Sequence, residues 1–332
     1  MRYTKNSLNI LTTKSYKGIG NAWIVKNLKG NEDVETIVSL INNTIKGEST
    51  SVEEFERLRN DFQTKLEEKF SECCDGFVAL GDPNFPKHRG NVKDSGKPVF
   101  LYYKGNIELL SIENKNICVI GLLNPGGDIE ERERKIVAEF VKEGATIVSG
   151  LAFGCDSISH RQALDSNGKT VAILPSPLSN IMPATNKGLA FQIVEEGGLL
   201  VTEYGSDFKS QMELSSRYQE RDRLQALFCD TIVLAASYAQ NSAERWKLYG
   251  QKLDSGARLA MGYANEFGIP RAVMYDNDTD LNNPMFDLNR DIIKEEKNIT
   301  IITKDNITET VNKIMNYKQL SKNSTFQKSL FD

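Results

Sequence analysis

Histidine is scarce and long apolar runs are missing. Only His88 and His160 occur in 332 residues, which leaves little material for a histidine-rich metal centre or a serine triad. Neither an H-E-x-x-H nor a G-x-S-x-G string is present. No apolar stretch approaches the roughly 20 residues that cross a bilayer, and Met1–Leu11 has no signal-peptide core, so a cytoplasmic protein without membrane contact is expected. Positive charge is not in excess either. With 41 Lys and Arg against 45 Asp and Glu, the net charge of −4 argues against coating of nucleic acid by global attraction and confines any polyanion site to a local basic patch. The five cysteines include the neighbours Cys73 and Cys74, with Cys118 and Cys229 in or near apolar runs and Cys155 in a glycine loop, and no C-x-x-C occurs. Buried thiols follow, rather than a disulfide framework or a zinc site. No metal and no cofactor is expected.

What is present is enough apolar residue, 39%, for one large α/β domain and a smaller appendage. Residues 1–72 read as a helical N-terminal domain. Val52, Phe55, Leu58, Phe62, Leu66 and Phe70 recur every three or four positions as one helix stripe. Lys17-Gly18-Ile19-Gly20 resembles the turn of helix-hairpin-helix modules, whose amides hold a DNA phosphate; the other reading is a turn that simply needs glycine.

From Gly76 the pattern changes to short apolar runs, Phe77–Leu80, Val99–Tyr103, Ile117–Ile120, Thr146–Val148, Val171–Leu174, Leu199–Thr202, Thr231–Ala235 and Ala272–Tyr275. Helical stretches alternate with them, namely Ile129–Glu143, Asp156–Ser166, Asn186–Glu196, Arg217–Phe228 and Ser255–Phe267. Such alternation predicts an α/β fold whose mostly parallel sheet has helices on both faces, over residues 73–317. Residues 239–254 read as an extra loop or helix, and 318–332 as a flexible tail.

Ligands of such sheets bind beyond the carboxyl ends of the strands. The segment Ser149–Leu164 lies there, a strand end, a glycine turn and a helix start. Ser149, Gly150 and Gly154 would cradle a phosphate at the positive end of the helix dipole, while Asp156 and Ser157 can equally serve as helix caps. Gly121 and Asn124 belong to a second turn, Asn186 and Lys187 to a third, and Arg221 with Arg223 to a basic fourth segment.

These four segments resemble, in order and spacing, the DNA-processing protein A family, DprA/Smf. The chain carries Gly150, Leu151, Ala152, Gly154, Asp156, His160, Ala163 and Leu164 of that family's glycine segment. It also carries Pro183, Asn186 and Leu189 of the next, then Arg221 and Arg223, with Asp222 where asparagine is usual. Ser255-Gly256-Ala257 and Asn289-Arg290 resemble later family segments, so the likeness covers roughly residues 76–304. Leu123 stands where the family places an arginine, and Leu122 replaces a serine.

The resemblance implies an extended Rossmann-like domain that binds single-stranded DNA in a positively charged pocket, with no catalytic activity assigned. It implies partners as well: a RecA-type recombinase to be loaded, and a second copy in a homodimer. Gly121, Asn124, Ser149, Gly150, Phe153, Gly154, Arg161, Asn186, Lys187, Arg221 and Arg223 are the residues expected at DNA or phosphate. Lys187 and Arg161 would give point charge, and Arg221 with Arg223 a forked donor pair or else salt bridges with Glu220 or Asp222. Phe153 would stack on a base or serve as a wall. The departures leave room for a derived role such as phage defence. The alternative is a sensor or hydrolase of a nucleotide or NAD derivative using the same pocket. Finally, Gln327, Ser329, Leu330 and Phe331 in Gln-Lys-Ser-Leu-Phe resemble the pentapeptide that docks on the bacterial DNA sliding clamp.

Overall fold

The protein is described by a computed structural model over residues 2–47, 49–251, 253, 256–297 and 299–317. The apolar runs form strands β1 (Gly76–Ala79), β2 (Phe100–Gly105), β3 (Asn116–Ile120), β4 (Thr146–Ser149), β5 (Thr170–Ile173), β6 (Leu199–Thr202), β7 (Thr231–Leu234), β8 (Arg271–Met274) and β9 (Thr300–Ile302). Their spatial order is β1-β2-β6-β5-β4-β3-β7-β8-β9. Pairing is parallel from β6 through to β9, whereas β1–β2 and β2–β6 are antiparallel. The chain direction of β1 and β2 is invisible to a periodicity reading, since a doubly covered strand is apolar on both faces whichever way it runs.

Four helices precede the sheet: α1 (Lys5–Lys14), α2 (Asn21–Asn27), α3 (Val34–Asn42) and α4 (Val52–Glu72). Side chains at Thr4, Asp33 and Ser51 accept from backbone N–H groups at the starts of α1, α3 and α4, supplying partners that the first turn lacks. This helical region shares its core with the sheet. Leu8, Leu66, Phe70 and Cys74 cluster with Phe77, Tyr102 and Leu200, while Ile24, Ile37, Ile41 and Phe55 cluster with Ala79 and Val99. Each fully buried aliphatic or aromatic side chain there contributes about 1.5–3 kcal/mol.

The remaining helices are α5 (Gly127–Lys142), α6 (Cys155–Asp165), α7 (Lys187–Glu195), α8 (Gln211–Leu227), α9 (Ser242–Arg245), α10 (Gly256–Phe267), α11 (Asn277–Asp280), α12 (Asp287–Glu295) and α13 (Ile307–Asn316). Helix α8 starts before the expected Arg217 because Ser210 accepts a hydrogen bond from Glu213 N and caps it there. The segment expected as an extra loop or helix at 239–254 contains α9, which is pinned from a distance. Asp287 accepts from Ser242 Oγ at 2.6 Å and from Trp246 Nε1 at 2.9 Å, and pairs with Arg245 and Arg290. All five cysteines are free thiols. Among the described residues no helix is long and apolar enough to cross a membrane, and no three His, Cys, Asp or Glu gather in a metal-binding group.

Candidate nucleic-acid interface

At the carboxyl end of β3 the sheet opens into a cleft of about 440 Å³. Gly121 and Leu123 form one side of it, Ala152, Phe153 and Asp156 a second, and the α8 face Ser215, Tyr218, Arg221, Asp222 and Gln225 a third. Gly256, Ala257 and Ala260 of α10 close the fourth. Positions 215, 218, 222 and 225 are spaced by three and four, so one stripe of α8 looks into the cleft. That spacing was the available sequence signal for Tyr218 and Gln225, which the motif reading missed.

The glycine turn is built differently from a phosphate cradle. Ser149 is buried and its Oγ donates to Val119 O at 2.7 Å, so the hydroxyl ties β4 to β3 and does not face the cleft. Gly150 N and Ala152 N both donate to Asp156 Oδ2, at 3.1 and 3.3 Å. The amides expected to receive an external anion therefore already hold an internal carboxylate, and Asp156 does not cap α6, whose N-cap Gly154 has no side-chain partner. Gly150 makes room for Arg221: a Cβ there would lie 1.1 Å from Arg221 Nη1. Gly154 has φ +64, and a Cβ on it would meet Leu122 O at 2.2 Å, so it lets the turn lie against the loop after β3.

Leu151, fully buried, takes φ 60, a conformation that costs an L side chain energy. Asn186 holds it there, its Nδ2 donating to Leu151 O at 2.9 Å and Ala152 O at 3.1 Å. Asn186 thus positions the turn from beneath.

Arg221 is the charged group at the floor. Its side chain is 5% exposed, with Nη1 3.5 Å from Asp156 Oδ2 and Nε 3.3 Å from Asp222 Oδ1. Both are ion-pair distances at the long end, and Nε meets no hydrogen-bond acceptor. The guanidinium lies 5.5 Å from the centre of the Tyr218 ring. With its amide oxygen turned toward them, Gln225 accepts from Gly150 N at 3.0 Å and Arg221 Nη1 at 3.3 Å. Burial pushes the Asp156 carboxyl above its ordinary range, and the Arg221 charge opposes that. Burial together with the same charge pushes His160 down to about 3, so its ring is neutral. Thr170 Oγ1 donates to Ile147 O and lies 2.7 Å from His160 Nδ1. Nδ1 is accordingly the protonated nitrogen, donating to Thr170.

Arg221 and Arg223 do not form a forked donor pair. Residues two apart on a helix diverge by roughly 200°, and Arg223 turns away to donate to Gly96 O at 2.7 Å and to pair with the half-buried Glu203. The floor carries two carboxylates and one guanidinium, so the strongly positive pocket that the resemblance implies is not built there. Lys187, the first residue of α7, is exposed beside Asn186, its Nζ 5.7 Å from the Phe191 ring, and does not line the cleft. Arg161 is exposed on α6 and does not line the cleft. Asn124 is exposed beside the rim, and Gly121 passes so close to Cys155 that a Cβ would meet its Sγ at 2.5 Å. The rim is otherwise apolar, with Phe153 47% and Leu123 46% exposed. Gln327, Ser329, Leu330 and Phe331 lie outside the described residues.

Comparison with known proteins accords with this architecture. Protein Smf of Borreliella burgdorferi is 30% identical over 189 residues, 54% of this chain and 59% of its own length. DNA processing protein DprA of Streptococcus pneumoniae is 30% identical over 154 residues, 46% of this chain and 51% of its own. The chain spans about half the length of the curated relatives it matches. In three dimensions, the X-ray structure of DprA from Streptococcus pneumoniae has the same fold, with a TM-score of 0.68 at 20% identity, covering 96% of this chain and 100% of that one. DNA processing protein A from Helicobacter pylori, whose structure was described for its single-stranded DNA binding mode, superposes with a TM-score of 0.55 at 23% identity over 72% of this chain and 95% of that one. The sequence profile described as DNA recombination-mediator protein A matches residues 76–243, just over half the chain and the whole stretch that builds three sides of the cleft. The chain therefore belongs to the DNA recombination-mediator protein A family.

Proposed function

We propose that this protein binds single-stranded DNA, one unstacked base entering the cleft while the phosphates pass along its rim. The observation that carries the reading is Arg221: a guanidinium 5% exposed, with long ion pairs and an unsatisfied Nε, forming part of the lining of an open cleft. A ligand acceptor in the cleft would add to ion pairs that are long. Phe153 and Tyr218 offer the ring faces on which a base stacks, and the cleft volume suits one nucleotide and is too small for a paired duplex. Lys187, exposed at the start of α7, supplies charge for the strand's backbone beyond the cleft.

The test is fluorescence anisotropy of a labelled oligonucleotide, single- and double-stranded, at two salt concentrations. Phe153→Ala weakens single-strand binding by the stacking term, about 1–3 kcal/mol, and Lys187→Ala lowers the slope of affinity against salt by about one contact. Absence of binding even at low salt overturns the proposal.

In this reading the protein acts in DNA processing or recombination, as a homodimer that protects the strand and passes it to a RecA-type recombinase, or in a derived role such as phage defence. The tail residues Gln327, Ser329, Leu330 and Phe331 dock it on the sliding clamp, and deletion of 327–331 then abolishes clamp binding in a pull-down. One observation favours a second reading: the apolar Leu123 at the rim leaves that side of the cleft without charge, which suits a free nucleotide or NAD derivative as well as a strand. Native mass spectrometry separates the two, because a co-purified nucleotide supports the second.

A further inference from the structure

The joint between α4 and β1 holds two adjacent thiols. Cys73 and Cys74 have their sulfurs 3.6 Å apart, although side chains of neighbouring residues commonly diverge. Cys73 is the C-cap of α4, and both its N–H and that of Cys74 donate to Lys69 O, at 2.9 and 3.1 Å. The two differ in access. Cys74 is 5% exposed and belongs to the apolar cluster with Leu66, Phe70 and Phe77, whereas Cys73 is half-buried at its edge. Lys69 and Lys104 lend the pair positive charge, against Glu72.

We propose that Cys73 and Cys74 form a thiol–disulfide exchange site, in which Cys73 attacks a low-molecular-weight disulfide and Cys74 resolves the adduct to a vicinal disulfide. In the first step the Cys73 thiolate forms a bond to one sulfur of R–S–S–R and expels one thiolate. In the second, Cys74 attacks Cys73 Sγ, the mixed disulfide breaks, and the second small thiolate leaves. The two protons of the protein thiols end on the two released small thiols, so two protein thiols are oxidised as one small disulfide is reduced.

The environment suits this order of events. A hydrogen bond from Cys74, opposed by burial and aided by Lys69, draws the Cys73 thiol down to about 7, where about half is thiolate at neutral pH. The shared hydrogen bond and burial push Cys74 up. Capture of Cys73 in a mixed disulfide removes its negative charge, which is one of the causes holding the Cys74 proton in place. Adjacent Cα atoms sit about 3.8 Å apart, below the usual 4.4–6.8 Å span of a disulfide. The ring is therefore strained and easily reduced again, the behaviour of a reversible site rather than a structural bridge. A zinc site is not favoured, because no third ligand joins the pair among the described residues.

The experiment incubates the full chain with glutathione disulfide at neutral pH, followed by alkylation, intact mass and peptide mapping. The wild type is expected to lose the mass of two hydrogens in the peptide bearing residues 73 and 74 and to retain no glutathione. Cys74→Ser retains one glutathione, on Cys73, and Cys73→Ser takes up none. The buried Cys118, Cys155 and Cys229 stay reduced and report that the fold is intact. A wild type that remains a dithiol, or that accumulates a stable glutathione adduct, overturns the proposal. So does a folded Cys74→Ser variant that takes up nothing. Should a serine variant unfold, the wild-type result decides alone.

Discussion

Gly150 and Arg221 compete for one small volume at the cleft floor. A methyl group at position 150 would sit 1.1 Å from Arg221 Nη1, and the guanidinium is confined by Asp156 and Asp222. Gly150→Ala must therefore displace a paired, buried charge. Its denaturation midpoint is expected to fall by about 1–3 kcal/mol in stability, as for an overpacked core, and oligonucleotide affinity falls with it. An unchanged midpoint would show that Arg221 is free to move. The run Ser149–Leu164 announced this spot in the sequence through its strand-end glycines, yet the chemistry of those glycines was hidden. Whether an amide faces solvent or a carboxylate six residues on depends on side-chain direction, which spacing does not encode. Arg223 was hidden likewise, since its partners Gly96 and Glu203 lie 127 and 20 residues away.

Helices α5 and α6 pack together beside the cleft, and their contact includes a buried acid. Ser159 Oγ on α6 donates to Glu133 Oε1 on α5 at 2.7 Å. Burial, the largest influence, raises the Glu133 carboxyl from its ordinary 4.5 to about 8. A raised carboxyl stabilises the fold fully below pH 4.5, and that stability is lost as pH climbs toward 8, because the unfolded chain has released the proton while the folded one retains it. His160, held near 3, acts only below about pH 6.5, where the unfolded imidazole becomes charged. Between pH 6.5 and 8 this carboxyl should cost up to about 1.4 kcal/mol per pH unit, against an opposite gain from the lowered Cys73 thiol, so in chemical denaturation the slope of Glu133→Gln should exceed that of the wild type by this amount. An equal slope in both proteins contradicts the assignment. At this scale the strands were the most legible feature, since doubly covered apolar runs bounded by turn residues have few other uses. The anchoring of α9 was not legible, because Asp287 reaches Ser242 across 45 residues of chain.

The whole molecule sets the helical region against the edge of the sheet formed by β1 and β2. Phe77 N donates to Arg2 O at 2.8 Å, Asn6 Nδ2 to Asp82 Oδ1 at 2.8 Å, and Asn21 Nδ2 to Lys97 O at 2.8 Å. A net charge of −4 gives no general attraction for a polyanion, so binding has to come from one local surface. The proposed surface is the mouth of the cleft, lined by Phe153 and Tyr218. The most direct measurement is ultraviolet cross-linking of a single-stranded oligonucleotide to the full protein, with the linked peptides identified by mass spectrometry. The predicted result is nucleotide attached to the peptides carrying Phe153 and Tyr218, lost when an unlabelled single strand competes and retained when duplex does. Cross-links confined to the helical region, or spread evenly over the surface, would contradict it.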